Sequence, residues 1–465
     1  MTKKILIGLF AASMFTAGCK KDLDLRPTDS VGEEVAFNSV AALQKGLNTA
    51  YSRYGTSRST TMFAVSVTSD EVKFGPNNGG TGQFGYRLQY NADNTSGSDV
   101  VTPFFSYYTI LDQVNRVLSK VADVPLADAA EGAPRDYIKG QLLALRAMSH
   151  FELLEAYSKR YEASDPLGIP VMLESCLTCQ PPRNTVGEVV AQVEKDLNEA
   201  KGLMPAVTPA TINNLALSQV AVVAYQARVA LYKREWQRAA DLATEVINSG
   251  IKPLVSGAAF SGIWTDANTN EVLFRSRFEN TATVGSNWTQ TNGSIIFSPS
   301  DKLTATYGAS DIRATAYIGT VAAGRYVKKF SLSSRGGSIV DVKGIRTAEM
   351  YLIRAEARAE LNDLAGAAAD INTLRTARIT GYTPVTYASK TAAIDDILLE
   401  RFRELAFEGF RFYDLKRKGL NLQRAASDVD SPLWQTMSST DHRFVYPIPF
   451  DEILANKNIV QNPGY

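Results

Sequence analysis

The sequence predicts a mainly α-helical chain, a scaffold of paired helices interrupted by two irregular inserts with short strands. Three observations point there. Apolar residues recur three and four positions apart along most of the 465 residues. Two distant segments carry the same helical hairpin pattern. Two stretches, at about 60–102 and 252–342, lack the helical period and are rich in Gly, Ser, Thr and Asn. The composition is ordinary for a globular protein, with 45% hydrophobic and 21% charged residues. The net charge of +1 leaves no basic excess to attract nucleic acid.

In "AALQKGLNTAYSRY", Leu43, Leu47, Ala50 and Tyr54 share one helical face. Ile110, Val114, Val117 and Val121 do the same in "FFSYYTILDQVNRVLSKVADV". The longest periodic segment is "RDYIKGQLLALRAMSHFELLEAYSKRY", with Ile138, Leu142, Leu145, Phe151 and Leu154 on its face. It stops before "SDPLGIP", whose Asp-Pro and Gly break helices. Thr185 stands three residues before Glu188, the spacing of a capping box opening the next helix.

"LSQVAVVAYQARVALYKREWQRAADLATEVINSG" reads as two helices with a turn near Lys233–Glu235, closed by Gly250. "TAEMYLIRAEARAELNDLAGAAADINTLRTAR" repeats it. Ala227 matches Ala355, Trp236 matches Leu364, and Ala239-Ala240 match Ala367-Ala368. Small residues let the helices approach and the large apolar residue fills the turn, the logic of a tetratricopeptide-like helical repeat.

The first residues form a separate unit. "MTKKILIGLFAASMFTAGC" has Lys3 and Lys4, then eleven residues from Ile5 to Phe15 that are mainly apolar, then small residues. That is the layout of a secretory signal, and a membrane span needs about 20 apolar residues. Thr16-Ala17-Gly18-Cys19 resembles the lipobox of bacterial lipoproteins, with Thr where Leu is usual. The expectation is a signal peptide at 1–18 and one domain at 19–465, anchored by a lipid on Cys19. The other two cysteines, Cys176 and Cys179 in "CLTC", read as a short-loop disulfide in an oxidising compartment. They lie in a Pro-rich loop and do not open a helix after a strand, which disfavours a redox site.

No metal or cofactor is assigned. With His150 and His442 as the only histidines, a zinc site lacks ligands. His150 lies in a periodic helix and reads as a scaffold residue. "NADNTSGSD" clusters Asp93, Asn94 and Asp99 but lacks the glycine and final Glu of a calcium loop. H-E-x-x-H, G-x-S-x-G and P-loop patterns are absent. Gly80 to Gly85 spells G-x-G-x-x-G. With "KFGPNN" before it and "YRLQYN" after, the context offers neither the strand nor the helix of a dinucleotide turn.

The C-terminal third carries the most specific pattern. "RTAEMYLIRAEARAELNDLAGAAADINTLR" is followed by "LLERFRELAFEGFRFYDLKRKG" and "YPIPFDEILANKNIVQNPGY". With "LLALRAMSHFELLEAYSKRY" and "GIPVML" earlier, these blocks closely resemble the SusD/RagB family from about Cys19 to Tyr465. "EASDPLGIP" departs from the family's shorter turn. The resemblance implies a surface lipoprotein of the outer membrane in Bacteroidetes-type bacteria, mostly helical and not an enzyme. It implies capture of a nutrient, commonly an oligosaccharide, for a SusC-type TonB-dependent transporter. The alternatives are a peptide binder on the same scaffold, a tetratricopeptide-type protein-interaction scaffold, and a surface hydrolase.

The residues of those blocks also have a plain reading. Leu398, Phe402, Leu405 and Ala406 form an apolar face. Glu400, Arg403, Glu404, Glu408 and Arg411 are spaced to pair along a helix. Lys416–Lys418 reads as a solvated helix end, and Asp451 as the cap of a short helix. For a sugar, aromatic platforms beside planar polar groups are the chemistry to seek. The candidates lie in the inserts: Phe74, Phe84, Tyr86 and Tyr90 near Asn77, Asn78 and Arg87, and Trp264 and Trp288 near Asp266, Asn268, Asn287 and Asn292. Trp236 reads as core, and Trp434 as either.

Overall fold

The computed structural model describes residues 36–176, 178–279, 284–290, 293–336 and 339–465. The signal segment, Cys19 and Asn292 lie outside the described residues. The structure is about 52% helical, and among the described residues the strands are few and short. No helix among the described residues is long and apolar enough to cross a membrane.

The scaffold begins with α1 (Val40–Thr68), α2 (Ser98–Val121) and α3 (Gly132–Tyr157), which pack on one another. Their predicted apolar faces, including Leu43, Leu47, Ile110, Val114, Leu142 and Phe151, are buried in one core. The helix α4 (Val186–Leu203) packs on α3 and opens with the capping box, Thr185 and Glu188 each bonding the other's backbone. His150 is a core residue whose Nε2 accepts from the Met172 amide at 3.1 Å. Burial and the nearby Arg146 push its imidazole down to about 3.

The two hairpins are α5 (Gln219–Lys233) with α6 (Trp236–Asn248), and α7 (Thr347–Glu360) with α8 (Leu364–Thr376). Their turns are equivalent: Arg234 has φ 64° and the matching Asn362 has φ 65°. The paired alanines, Ala239-Ala240 and Ala367-Ala368, are buried where the helices approach. Then α7 packs on α6, joining the two repeats.

The first insert is shorter than predicted. The segment "RSTTMFAVSVT" continues α1 to Thr68, making it, at 29 residues, the longest helix among the described residues. Every residue from Thr61 to Thr68 is buried, so tertiary packing overrides the weak helix propensity of Ser, Thr and Val. The segment between α1 and α2 runs from Ser69 to Gly97 and holds a three-residue strand and a four-residue helix.

The "LLERFRELAFEGFRFYDL" block is not one helix with a self-paired charged face. It splits into α9 (Lys390–Glu404) and α10 (Arg411–Lys418), parted by left-handed turns at Phe407 and Gly409. Its acids are buried and bind arginines from elsewhere. Glu404 takes Arg313, Arg346 and Arg378 at 3.0–3.1 Å. Glu400 takes Arg313 at 2.6 Å and Arg375 at 2.8 Å. Glu408 takes Lys329 at 2.7 Å and Arg346 at 2.6 Å. Glu271 takes Arg378 at 2.8 Å. The second insert supplies Glu271, Arg313 and Lys329, and Arg346 lies just past it, so this lattice fastens that insert to the scaffold. Charges this deep persist only when every partner is present.

Lys416–Lys418 is likewise not a solvated end. Lys416 is buried, Arg417 grips Glu356 at 2.6 and 2.7 Å, and Lys418 meets Glu360 at 2.9 Å. Asp451 does not cap its helix and instead accepts from Asn94 at 2.8 Å.

Candidate site where the two inserts meet

The two inserts, far apart in sequence, are stitched into one surface. Strand β1 (Val72–Phe74) pairs antiparallel with a strand of the second insert, Phe297–Pro299, so that Lys73 faces Ser298 and Phe74 faces Phe297. The Gly75 amide donates to Ile296 O at 2.9 Å, and Asn77 N to Ile295 O at 3.0 Å, extending the ladder into the glycine loop. Asn78 Nδ2 bridges Thr81 O and Ile296 O.

A short strand precedes the glycine motif and a short helix begins inside it. The strand has three residues and the helix, Gln83–Tyr86, has four. The strand's partner is antiparallel, so the parallel unit of a dinucleotide fold is missing. The glycines serve the backbone instead. Gly82 has φ 61°, and a Cβ there would lie 2.9 Å from Phe63 and 3.1 Å from Phe297.

That turn sets Phe74, Tyr86 and Phe297 in one ring cluster, with the Phe74 and Tyr86 centroids 4.3 Å apart. Above it, the Arg87 guanidinium lies 5.7 Å from the Phe74 centroid and 4.8 Å from that of Trp434. All three side chains are half-buried, so ring and guanidinium area remains open to solvent. Gln83 Oε1 accepts from Arg87 Nη1 at 3.1 Å, while the buried Arg87 Nε has no partner. Trp434 is brought there by Arg424. This buried arginine donates to Trp434 O and Ser69 O at 2.9 Å, to Val67 O at 3.1 Å and to Tyr86 O. One side chain therefore joins α1, the first insert and the C-terminal loop.

Charged groups border the rings. Lys73 Nζ lies 2.8 Å from Asp301, and Arg325 reaches the other oxygen of Asp301 at 3.4 Å. Asp428 accepts from the Asp301 and Lys302 amides, closing the start of the short helix Asp301–Thr304. Surface pairs of this kind contribute little to stability. Their planar, multivalent hydrogen-bonding groups suit a hydroxyl-rich ligand.

The predicted residues divide sharply. Phe74 is in the cluster and partly open. Phe84 is on the same turn, half-buried, with no ring partner among the described residues. Tyr86 is fully buried beneath Phe74, and its hydroxyl donates to Asp428 O. Tyr90 is core: it is 4% exposed, packs edge-on to Tyr446 and donates to Arg443 O. Trp264 and Trp288 are 1% and 0% exposed, so they present no platform. Trp264 lies under the charge lattice, 4.1 Å from Lys329 Nζ and 4.9 Å from Arg346. Trp288 stacks on Phe330 at 5.6 Å. Loop composition does not reveal that these rings form the second insert's own core. In sequence Arg87 stands out only as a neighbour of the aromatics, and nothing local marks Lys73, Asp301 or Arg325. The signal for Trp434 was its place in a polar loop after Pro432.

Elsewhere, Cys176 and Cys179 are joined in a disulfide. Asp93 turns its carboxylate onto the Thr95 and Ser96 amides and the Ser96 hydroxyl. Among the described residues, no group of three His, Cys, Asp or Glu side chains is placed to hold a metal.

Residues 274–465 match the model of the SusD family, and residues 21–231 match a model described as starch-binding associating with outer membrane. A SusD superfamily protein from Bacteroides thetaiotaomicron superimposes with a TM-score of 0.81 at 24% identity, covering 91% of this chain and 100% of its own. A SusD-like carbohydrate binding protein from Bacteroides vulgatus gives 0.77 at 22% identity, covering 91% and 98%. SusD-like protein P38 of Formosa agariphila is 23% identical over 428 residues, which is 77% of this chain and 78% of that protein. The chain belongs to the SusD/RagB family.

Proposed function

We propose that this chain is a cell-surface nutrient-binding lipoprotein of the outer membrane. It captures a ligand, an oligosaccharide, and hands it to a SusC-type TonB-dependent transporter. The observation that carries the reading is the Phe74–Arg87–Trp434 stack at the junction of the inserts. It presents aromatic rings and a planar donor side by side, as a sugar ring with its hydroxyl rim requires. Family membership and the family model's description as starch-binding at the outer membrane support it. The lipobox at Cys19 supplies the anchor, and the reading is of a binding protein that performs no catalysis.

A glycan array followed by calorimetry on the purified chain tests this. Saturable binding of an oligosaccharide is expected, weakened by Trp434→Ala. Tight binding of peptides with no glycan hit would move the ligand to the peptide class. A palmitate analogue should label the wild type and not Cys19→Ala. A large outer-membrane barrel protein should co-purify from the native membrane.

A further inference from the structure

A second cavity, which shares no residue with that surface, lies where the end of α3, the end of α10 and the C-terminal segment converge. It has a volume of about 470 Å³, and Lys159, Arg160, Lys416, Asp441, His442 and Asn462 are among its lining residues. The charge there is unbalanced. Lys159 and Arg160 are exposed and have no acidic partner among the described residues. Asp441 is the one acid of the lining, and Arg443 holds it at 2.6 Å.

Lys416 makes the imbalance costly. Its residue is 8% exposed, yet its Nζ donates only to the backbone carbonyls of Glu155 and Ser158. An ammonium has three protons to give, and both acceptors are neutral. They belong to the end of α3, where the helix dipole favours a cation but does not neutralise it. No carboxylate oxygen lies within 4 Å of Nζ among the described residues, unlike Arg417 and Lys418 beside it. Burial lowers the Lys416 ammonium to about 7, against the pull of Glu155. The neighbouring Ser158 is fully buried and its hydroxyl has no partner. Lys416 is thus a buried amine at the edge of this cavity, with further cations at the rim and only Glu155 acting on it as a counter-charge.

We infer that this cavity binds a small oxyanion, with Lys416 at its floor and Lys159 and Arg160 at its rim. The volume exceeds what a bare tetrahedral anion fills, and Phe444 and Val445 add an apolar wall, so a carboxylate borne on a sugar-sized body fits it. The inference does not rest on the glycan surface described above.

Calorimetry on the purified chain at moderate salt tests it, with methyl glucuronide, inorganic sulfate and neutral methyl glucoside as probes. Saturable one-site heat is expected from methyl glucuronide and none from the glucoside. Sulfate binding in its place would still establish an oxyanion site, of the tetrahedral kind. Lys159→Gln/Arg160→Gln should weaken binding about tenfold with an unchanged melting midpoint. Lys416→Met should remove binding, and if that variant does not fold, the exposed pair decides. No saturable heat from either anion, equal heat from the glucoside, or unchanged affinity in the double variant would overturn the assignment.

Discussion

The Arg87 guanidinium lies 4.8 Å from the centre of the Trp434 ring, although the two residues come from opposite ends of the chain. The first insert and the C-terminal loop meet there because Arg424 holds the carbonyls of both Tyr86 and Trp434. This surface is therefore a product of the closed chain.

Arg87→Ala and Trp434→Ala should each weaken ligand binding about tenfold, roughly 1.4 kcal/mol. Both side chains are half-buried, so stability should change little. Calorimetry beside thermal melting separates the two effects. Wild-type affinity in both variants would remove the site.

Trp264→Ala should behave in the opposite way. The ring is 1% exposed and covers Lys329 and Arg346. Its loss should cost ~3–5 kcal/mol in urea unfolding. At temperatures where the variant remains folded, ligand affinity should be retained.

Glu404→Ala strips the shared partner from Arg313, Arg346 and Arg378. Breaking a buried charge assembly on one side costs ~3–5 kcal/mol. The urea midpoint should fall accordingly. Arg403 is the contrasting control on the same helix: it is partly exposed, and Arg403→Ala should cost under about 1 kcal/mol.

Acid should unfold the protein through the same lattice. Burial alone would raise the Glu400 carboxyl, but Arg313 and Arg375 outweigh it and hold it at about 2. Its unfolded value is about 4.3. A lowered folded value gives stability that is full above the unfolded value and drains as pH falls toward the folded one. Unfolding free energy should thus drop below about pH 4.3. Glu400→Gln should be less stable at neutral pH and show a shallower acid slope. An identical slope would assign the acid limb to other groups.

Gly82→Ala tests the glycine loop. The positive φ and the 2.9 Å approach to Phe63 together should cost about 1–2 kcal/mol and loosen the turn bearing Arg87. Melting and calorimetry should both register it.

The helical frame was legible because its signals are local. The faces of α1 to α3, the Thr185–Glu188 box and the matched turns at Arg234 and Asn362 all follow from spacing. Where packing decides, the reading failed. Ser and Thr residues ahead of Thr68 are helical because they are buried. Glu400 and Glu408 sit three residues from Arg403 and Arg411, yet Glu400 mainly takes Arg313 and Arg375, and Glu408 takes Lys329 and Arg346. Trp264 and Trp288 belong to the second insert's own core, which closes only when distant parts of the insert meet.

The sequence by itself determined the helical repeats and the family. Those follow from periodicity and from ordered blocks, which need only neighbours along the chain. Only the tertiary structure decided which aromatic rings face solvent and which charges are buried. It paired Phe74 with Phe297 across the inserts, laid Arg87 between Phe74 and Trp434, and set the Lys416 ammonium on backbone carbonyls alone. Each depends on long-range contacts, and burial is a property of the whole molecule that no single segment encodes.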